Sequence, residues 1–232
     1  DSCLMNTVNY QEILDSTAND VQGLVDPGAV AMYIPELGRI DPDKFGIHLT
    51  TIDNSHYSWG DANECFSIQS IAKVLSLTLA IKHMGVHVWE RVGVEPSGTA
   101  FNSLVQLEYE KGIPRNPLIN AGAIVICDML VGCLENPKAQ LLTVIQAITG
   151  TERIGYNASM VESERRSGYR NFALAYLMKD FGNIHADIDV VLDVYFHLCS
   201  LEMSCRELSQ TFLFLAAGGV SPTTGMTIVT SR

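Results

Sequence analysis

Residues 65–85 read CFSIQSIAKVLSLTLAIKHMG, and this stretch decides how the rest of the chain is interpreted. From Ser70 to Met84 it contains no proline, and it ends at Gly85, a residue type that commonly terminates helices. Its apolar residues lie all round the helical circumference, which is typical of a buried helix rather than an amphipathic surface helix. The sequence therefore predicts a buried central helix over residues 70–84.

The start of this predicted helix carries the pattern S-x-x-K, formed by Ser70 and Lys73. Residues i and i+3 share one helix face, so the hydroxyl and the amine are expected to lie side by side. Free backbone N–H groups and the helix dipole at the first turn favour developing negative charge. Burial would lower the pKa of Lys73 and let its neutral amine take the serine proton. The pattern is typical of penicillin-recognising serine enzymes, although a short motif also occurs by chance.

Length and composition narrow the classes of protein that fit this sequence. The chain has 232 residues, of which 47% are hydrophobic, so it can bury a substantial core. The 15 basic and 26 acidic residues give a formal net charge of -11, which argues against nucleic acid or an anionic membrane as partner. No repeat or linker divides the chain, so we predict a single domain over residues 1–232. We expect neither a signal peptide at the start shown nor an apolar run long enough to span a bilayer.

The cysteines and histidines show no spacing that is typical of metal sites. The six cysteines lack C-x-x-C, and most lie in apolar helical surroundings, where a free thiol behaves as a small hydrophobe; they are Cys3, Cys65, Cys127, Cys133, Cys199 and Cys205. This usage predicts a reduced, cytoplasmic protein. The six histidines are scattered, and each is expected to be structural. No Rossmann or P-loop glycine pattern is present.

Most of the remaining sequence has helical periodicity. We predict a helix over residues 7–24 that starts near Asn6 or Thr7, and residues 29–37 are compatible with a short helical segment. Residues 157–168 are polar and are assigned no element; further helices are predicted over residues 117–134, 138–149, 171–181, 188–201 and 207–217. Asn120, near the first turn of one of these helices, is either an ordinary cap-region residue or points into a site.

One hairpin is predicted before the S-x-x-K helix. Residues 45–52, FGIHLTTI, are rich in β-branched residues, residues 53–55 have turn chemistry, and residues 56–59 would return as the second strand. After Gly85 the chain becomes irregular, with breaker-rich loops at residues 95–98 and 111–117. Such loops on a helical scaffold are common places for binding groups.

Several segments together resemble the serine-dependent glutaminase family, which has the β-lactamase/transpeptidase fold. The resemblance covers essentially the whole chain in the family's order, through YIPELGRIDPDKFGI (33–47), CFSIQSIAKV (65–74), EPSGTAFNS (95–103), NPLINAGAI (116–124), ESERRSGYRNFALAYLMKDFG (162–182), VLDVYFHLCSLE (191–202) and LAAGGVSP (215–222). It implies an α+β fold, mostly helical, with an antiparallel sheet whose C-terminal strands are missing from this chain.

The resemblance also implies a substrate and roles for named residues. Ser70 corresponds to the nucleophile and Lys73 to its general base, and Tyr33 lies beside them and supports proton transfer. The positions that match the family's glutamine-binding residues are Gln69, Ser70, Asn120, Glu164, Asn171 and Tyr195. Glu164 would pair with the α-ammonium group, and the neutral donors of Asn120, Asn171 and Tyr195 would hold the α-carboxylate. The implied reaction hydrolyses L-glutamine without metal or organic cofactor, and the family resemblance implies a homodimer or homotetramer.

Two features of the family fall outside this sequence. Glutaminases have a second site tyrosine and a glycine-rich oxyanion segment further along the chain, whereas this sequence stops at Arg232. Residues 222–232 contain no strands that would complete the sheet, and an isolated hairpin is marginal in water. We therefore expect that these 232 residues are not a complete catalytic unit, which intact-mass measurement combined with an activity assay would test.

Two other functions remain open at this point. A penicillin-binding or β-lactam-hydrolysing enzyme would share the fold, but the sequence lacks S-x-N and K-[ST]-G, and Tyr169, Arg170 and Asn171 match Y-x-N only by spelling. A non-catalytic module would bind glutamine without turnover. Release of glutamate from glutamine would exclude the module, whereas stable penicillin labelling of Ser70 without ammonia release would favour the penicillin-binding enzyme.

Overall fold

The fold is described by a computed structural model of the chain that covers residues 8–24 and 28–230. Its α-helices are α1 (Tyr10–Gln22), α2 (Ala72–Met84), α3 (Leu104–Tyr109), α4 (Asn120–Cys133), α5 (Pro137–Thr149), α6 (Ala158–Ser167), α7 (Tyr169–Asp180), α8 (Ile188–Cys199) and α9 (Cys205–Ala216). Its strands are β1 (Gly46–Thr50), β2 (His56–Gly60), β3 (Phe66–Ser67), β4 (Gly155–Tyr156) and β5 (Leu201–Met203). The described chain is therefore mostly helical with a small β component, in agreement with the α+β prediction.

The core is built around α2, α4 and α8, which pack against one another. Residues 121–130 of α4 are all buried, and α2 buries Leu75, Leu79 and Ala80. The prediction of a buried central helix is confirmed, and Gly85 ends it with a φ of 57°. Its first turn, Gln69–Ile71, is a 3-10 segment, so the α-helix begins two residues later than predicted.

The strands form two small antiparallel sheets. β1 and β2 form the predicted hairpin, with Gly46 opposite Gly60. In the second sheet β5 lies between β3 and β4, so this sheet joins segments that are far apart in the sequence. We did not predict β3, β4 or β5, because strands of two or three residues are too short to show alternation of apolar and polar side chains.

The hairpin packs against α1 and α9 through a network of polar side chains. His48 Nε2 and His56 Nδ1 lie 3.2 Å apart across the hairpin, and Thr50 Oγ1 lies 2.6 Å from Ser209 Oγ on α9. Burial, followed by the neighbouring His56 and Arg206, lowers the pKa of His48 to about 4. Burial and then Arg206 also lower the pKa of His56, and the two rings contact each other with their centroids 5.4 Å apart.

Near the start of the chain two predictions need correction. α1 begins at Tyr10 because Asn9 Oδ1 accepts the Glu12 N–H at 3.2 Å; Asn6 and Thr7 lie outside the described residues. The helical reading of residues 29–37 is wrong, because only Leu37–Arg39 forms a 3-10 segment and the residues before it are irregular or in turns. Pro35, which has no N–H to donate, fits the absence of a helix there.

Other helices begin or end at residues that differ from the predicted ones. Capping side chains and short strands set these boundaries, whereas the prediction used hydrophobic periodicity. α6 was missed because it is mostly polar, although Asn157 Oδ1 caps it by accepting the Met160 N–H at 2.9 Å. α3 is a further helix that the sequence does not predict, and it lies in the region after Gly85 that is predicted to be irregular. α8 ends at Cys199 rather than residue 201 because β5 begins at Leu201. The remaining predicted helices start within three residues of the observed ones.

The expectation that no apolar segment is long enough to span a bilayer needs qualification. By length and composition alone, Gln69–Glu90 reaches that threshold, and no other helix in the described ranges does. In the structure this segment contains α2, whose contacts with α4 and α8 are those of a core helix. Within its most apolar window, 39% of the residues are buried inside the fold.

The cysteines that the structure describes are all free thiols. Cys127 and Cys199 are buried in core helices, as expected for small hydrophobes. Cys65 and Cys133 are exposed, so the expectation of apolar surroundings does not hold for these two. Cys3 lies outside the described residues.

Candidate active site

A pocket of about 510 Å³ lies beside the beginning of the α2 segment. It is lined by Tyr33, Ile34, Gln69, Ser70, Phe101, Asn102, Asn120, Glu164, Ser167, Gly168, Tyr169, Arg170, Asn171, Tyr195 and Cys199. Seven of the eight predicted site residues are in this lining. The eighth, Lys73, lies directly behind it and donates a hydrogen bond to Asn120. The fold thus brings together all the residues that the sequence singled out.

Ser70 is presented to the pocket by a strained turn. The preceding residue, Gln69, has a φ of 49°, a left-handed conformation that is uncommon for a side chain of this type. Gln69 Nε2 donates to Ser67 Oγ at 2.9 Å, and Ser67 Oγ donates to the Cys199 carbonyl at 2.7 Å, which fixes the turn. Ser70 itself is exposed, and its hydroxyl makes no hydrogen bond to any described residue. It is therefore free to meet a substrate.

Lys73 is held by neutral acceptors in a nearly dry position. Its side chain is buried, and Nζ donates to the Leu118 carbonyl at 3.0 Å and to Asn120 Oδ1 at 2.8 Å. No carboxylate within the described ranges forms an ion pair with it. Burial lowers the pKa of Lys73, against smaller opposing effects of Cys199 and Glu164. A neutral amine with both hydrogens directed at these two acceptors keeps its lone pair for a proton.

Glu164 is a buried carboxyl group on α6 that faces the same pocket. Burial raises the pKa of Glu164 to about 7, although Gln69 and Lys73 act in the opposite direction. A cationic group bound beside it would favour the ionised form and lower this pKa again. The site is therefore suited to an ammonium group.

Asn120 joins the lysine to the opposite wall of the pocket. Its Oδ1 accepts from Lys73, and its Nδ2 donates to Asn171 Oδ1 at 3.1 Å. The alternative that Asn120 is only a cap-region residue is wrong, because its side chain makes no capping bond and points into the site. The amide N–H groups of Asn171 remain available for an acceptor in the pocket.

The two predicted tyrosines occupy different depths. Tyr195 is buried on α8, and burial, followed by Cys199 and Glu164, raises its pKa well above the usual value. Tyr33 is 70% exposed on the pocket rim, and its pKa is raised by partial desolvation and then by Glu164 and Cys199. Both hydroxyls therefore stay protonated at neutral pH and are hydrogen-bond donors.

Several pocket residues were not identified from the sequence, among them Phe101, Asn102, Gly168, Arg170 and Cys199. Three of them had a usable signal, since Arg170 is the middle residue of the Y-x-N spelling, Gly168 directly precedes that spelling, and Asn102 lies four residues after a breaker-rich loop. The Lys73 Nζ lies 5.9 Å from the centroid of the Phe101 ring. Within the described residues no group of three His, Cys, Asp or Glu side chains is close enough to hold a metal ion.

Fold and site together define a class of protein. A mostly helical α+β fold that presents S-x-x-K at the start of a buried helix, with the lysine desolvated behind the serine, has the features of the β-lactamase-like serine enzymes. Glu164 is the one buried acidic side chain in the lining of this pocket, so the pocket is suited to a ligand with a cationic group.

Comparison with known proteins identifies the family. The sequence model of the Glutaminase family matches residues 28–232. A glutaminase from Saccharophagus degradans is 58% identical over 228 residues, which cover 98% of this chain and 74% of that protein. A glutaminase from Christiangramia forsetii is 52% identical, covering 91% and 70%. The chain belongs to the glutaminase family.

Solved structures agree with this assignment. The probable glutaminase ybaS superposes with a TM-score of 0.88 at 31% identity, over 95% of this chain and 72% of that one. The probable glutaminase from Bacillus subtilis gives 0.76 at 34% identity, over 80% and 60%. Mglu in its glutamate form gives 0.87 at 30% identity, over 97% and 52%. The predicted β-lactamase-like fold is confirmed.

Proposed function

We propose that this member of the glutaminase family hydrolyses the side-chain amide of L-glutamine through a Ser70 acyl-enzyme, with Lys73 as the general base. Family membership supports the reaction, which gives L-glutamate and ammonia. The observation that carries the mechanism is the position of Lys73, buried and bonded only to neutral acceptors, one helical turn from an unpartnered serine hydroxyl. Such a lysine can be neutral when it meets the substrate.

Acylation would begin with attack of Ser70 Oγ on the amide carbon of glutamine. Lys73 takes the serine proton as the new C–O bond forms, and the Ser70 N–H stabilises the oxyanion of the tetrahedral intermediate. Lys73 then gives the proton to the amide nitrogen, the C–N bond breaks, and ammonia leaves. Tyr33, whose hydroxyl stays protonated, supports this transfer from the pocket rim.

Deacylation would use the same groups in reverse order. A water molecule attacks the γ-glutamyl ester while Lys73 removes its proton. The C–O bond to Ser70 breaks, and the serine oxygen receives the proton from Lys73. Glu164 holds the α-ammonium throughout, while Gln69, Asn120, Asn171 and Tyr195 hold the remaining polar atoms of the substrate. These steps use only side chains, backbone and water.

Trapping the acyl-enzyme tests this proposal. Acid quenching during turnover should yield a peptide that contains Ser70 and carries one γ-glutamyl group, and Ser70→Ala should lose both this adduct and nearly all glutamate release. Ser58→Ala, an exposed position on β2, serves as the matched control. Full turnover by Ser70→Ala would remove Ser70 from the mechanism, and penicillin labelling without ammonia release would favour a penicillin-binding enzyme instead.

We further propose a cytoplasmic location, a homodimer or homotetramer, and a single folding domain. The free cysteines of the described chain support a reducing compartment. The larger of the two clusters of buried residues in the described chain combines residues from Ile68 to Met203, which supports the single domain. Sedimentation equilibrium would measure the oligomeric state, and coincident unfolding transitions by two spectroscopic probes would test the single domain.

A further inference from the structure

An ion pair between Arg165 and Asp193 joins α6 to α8 outside the lining of the pocket. Arg165 Nη2 donates to Asp193 Oδ1, and both side chains are partly buried. Among the side-chain hydrogen bonds and ion pairs of the described residues, this is the one that connects these two helices. α6 buries only two apolar side chains, Met160 and Val161, so hydrophobic packing alone holds it weakly. The ion pair is therefore a principal contact that orients α6 against α8.

Each partner of this ion pair lies close in sequence to a residue of the pocket. Arg165 directly follows Glu164 on α6, and Asp193 precedes Tyr195 by two residues on α8. Glu164 and Tyr195 are both buried and both line the pocket. Residues one and two positions apart on a helix project about 100° and 200° apart, so each helix directs one side chain to the pocket and the other elsewhere. A shift at the ion pair would therefore also move Glu164 relative to Tyr195.

Asp193 is itself held from a second side. Its Oδ2 accepts from Lys138 Nζ on α5, while Oδ1 accepts from Arg165. His197 Nδ1, one helical turn further along α8, lies 2.7 Å from the Asp193 carbonyl oxygen and 3.5 Å from Oδ1. Both carboxylate oxygens thus have a partner, and loss of Arg165 alone would leave Asp193 paired with Lys138. The fold is expected to survive that loss because no buried charge becomes unpaired.

The next residue, Arg166, shows that this arrangement is not a general property of the arginines on α6. Arg166 Nε donates to Glu162 Oε1 at 2.7 Å within the same helix, and its side chain is 80% exposed. An exposed pair between residues i and i+4 of one helix cannot orient that helix against another element. Arg165 and Arg166 carry the same charge, but only the Arg165 pair reaches α8.

We propose that Arg165 and Asp193 are positioning residues, whose ion pair holds α6 against α8 so that Glu164 meets the α-ammonium group of the bound amino acid; the inference rests on the proposed glutamine hydrolysis. Neither residue lines the pocket, so neither touches the ligand. Loss of the pair should weaken recognition of the ammonium group in particular, because Glu164 belongs to α6, whereas Asn120 belongs to α4.

The test compares the binding of L-glutamate, the product of the proposed reaction, with that of glutarate, which keeps both carboxylates but lacks the ammonium group. The ratio of the two association constants, measured by isothermal titration calorimetry, reports recognition of the ammonium group without requiring turnover. In Arg165→Gln this ratio should fall about tenfold, since a displacement of about 1 Å by a distant substitution can cost up to about a hundredfold. Arg165→Lys should retain most of the ratio, because Arg165 donates to Asp193 through Nη2 alone.

Two matched controls separate positioning from the removal of a charge. Lys138→Gln removes the other cation from the same carboxylate but keeps the pair that joins α6 to α8. Arg166→Gln removes the same charge from the neighbouring residue. Both variants should keep the ratio of the unsubstituted protein.

An unchanged ratio in Arg165→Gln, or an equal fall in either control, would overturn the inference. Equal binding of L-glutamate and glutarate by the unsubstituted protein would also overturn it, because Glu164 would then contribute nothing to recognition of the ammonium group. Absence of ammonia release from L-glutamine would instead overturn the proposed function. The two failures are distinguishable because the binding measurement does not depend on turnover.

Discussion

At the scale of single residues, Lys73 shows how burial prepares a base. We expect kcat/KM for glutamine to rise with pH as this lysine loses its proton, because only the neutral amine accepts the serine proton. Lys73→Ala should lower kcat by about 10²–10⁴-fold. Lys82→Ala, at the exposed end of α2, is the control and should be nearly neutral. A pH-independent rate from acid to alkaline conditions would contradict this assignment.

The buried carboxyl group of Glu164, which is proposed to bind the ammonium group, lowers the stability of the folded protein. Its folded pKa of about 7 lies above the ordinary value of 4.5, so the folded state binds more protons between these two values. Stability is therefore lost as pH rises through this window. Glu164→Gln should remove the penalty, and the free energy of unfolding at pH 8 should increase by roughly 2–3 kcal/mol at most.

The same Glu164→Gln substitution should damage activity. A glutamine preserves the shape but not the charge that faces the ammonium group, so kcat/KM should fall about a hundredfold or more. Urea unfolding and steady-state kinetics on the same preparation measure both effects. Glu162→Gln, exposed on the same helix, provides the comparison. Normal kinetics in the Glu164 variant would show that the ammonium group is bound elsewhere.

At the scale of elements, the junction of α6 and α7 consists of one residue, Gly168. A Cβ built on Gly168 would lie 2.7 Å from the Glu164 carbonyl and 2.8 Å from Phe196 Cζ, both closer than real contacts allow. Gly168→Ala should therefore destabilise the protein by about 1–3 kcal/mol and lower kcat/KM by moving Glu164.

Gly132→Ala in α4 is the matched comparison for this junction. A Cβ at Gly132 meets nothing within 4 Å, so alanine there should stabilise the helix by about 0.5–1 kcal/mol. The melting temperature should fall in Gly168→Ala and rise in Gly132→Ala. A Gly168→Ala protein with unchanged melting temperature and kinetics would show that the junction relaxes without consequence.

The sequence predicted the long helices better than it predicted the short strands and the contacts within the site. Long apolar helices such as α2 and α4 were predicted because their pattern extends over several turns. The strands of the second sheet were not predicted. Tertiary contacts bring Phe66 opposite Met203, and strands of two or three residues are too short to show a recognisable pattern in the sequence. Ser70 and Lys73 were predicted from the S-x-x-K spacing and the other site residues from the resemblance, whereas the bond between Lys73 and Asn120 could not be predicted, because it depends on the packing of α2 against α4.

At the scale of the whole molecule, the hairpin makes folding sensitive to acid. The folded pKa of His48 is about 4 against 6.5 in a free histidine, so the unfolded state binds more protons between these values. Stability is complete above pH 6.5 and is lost as pH falls toward 4. The groups facing His48 are His56 on β2 and Arg206 on α9, and both oppose its protonation.

Substitution of His48 by glutamine should flatten this dependence, because glutamine has no proton to gain. We expect the melting temperature of the variant to change less between pH 6.5 and 4 than that of the unsubstituted protein. His83→Gln, an exposed position at the end of α2, is the control and should retain the full slope. Parallel curves for the His48 variant and the unsubstituted protein would refute the assignment.

The one-residue junction at Gly168 has a consequence for how this protein can be redesigned. Glu164 precedes it by four residues on α6, and Asn171 follows it by three residues on α7. Because Gly168 alone separates α6 from α7, an insertion at this junction would change the distance between Glu164 and Asn171. We expect a one-residue insertion after Gly168 to lower kcat/KM for glutamine, because it would turn Asn171 away from Glu164 across the pocket.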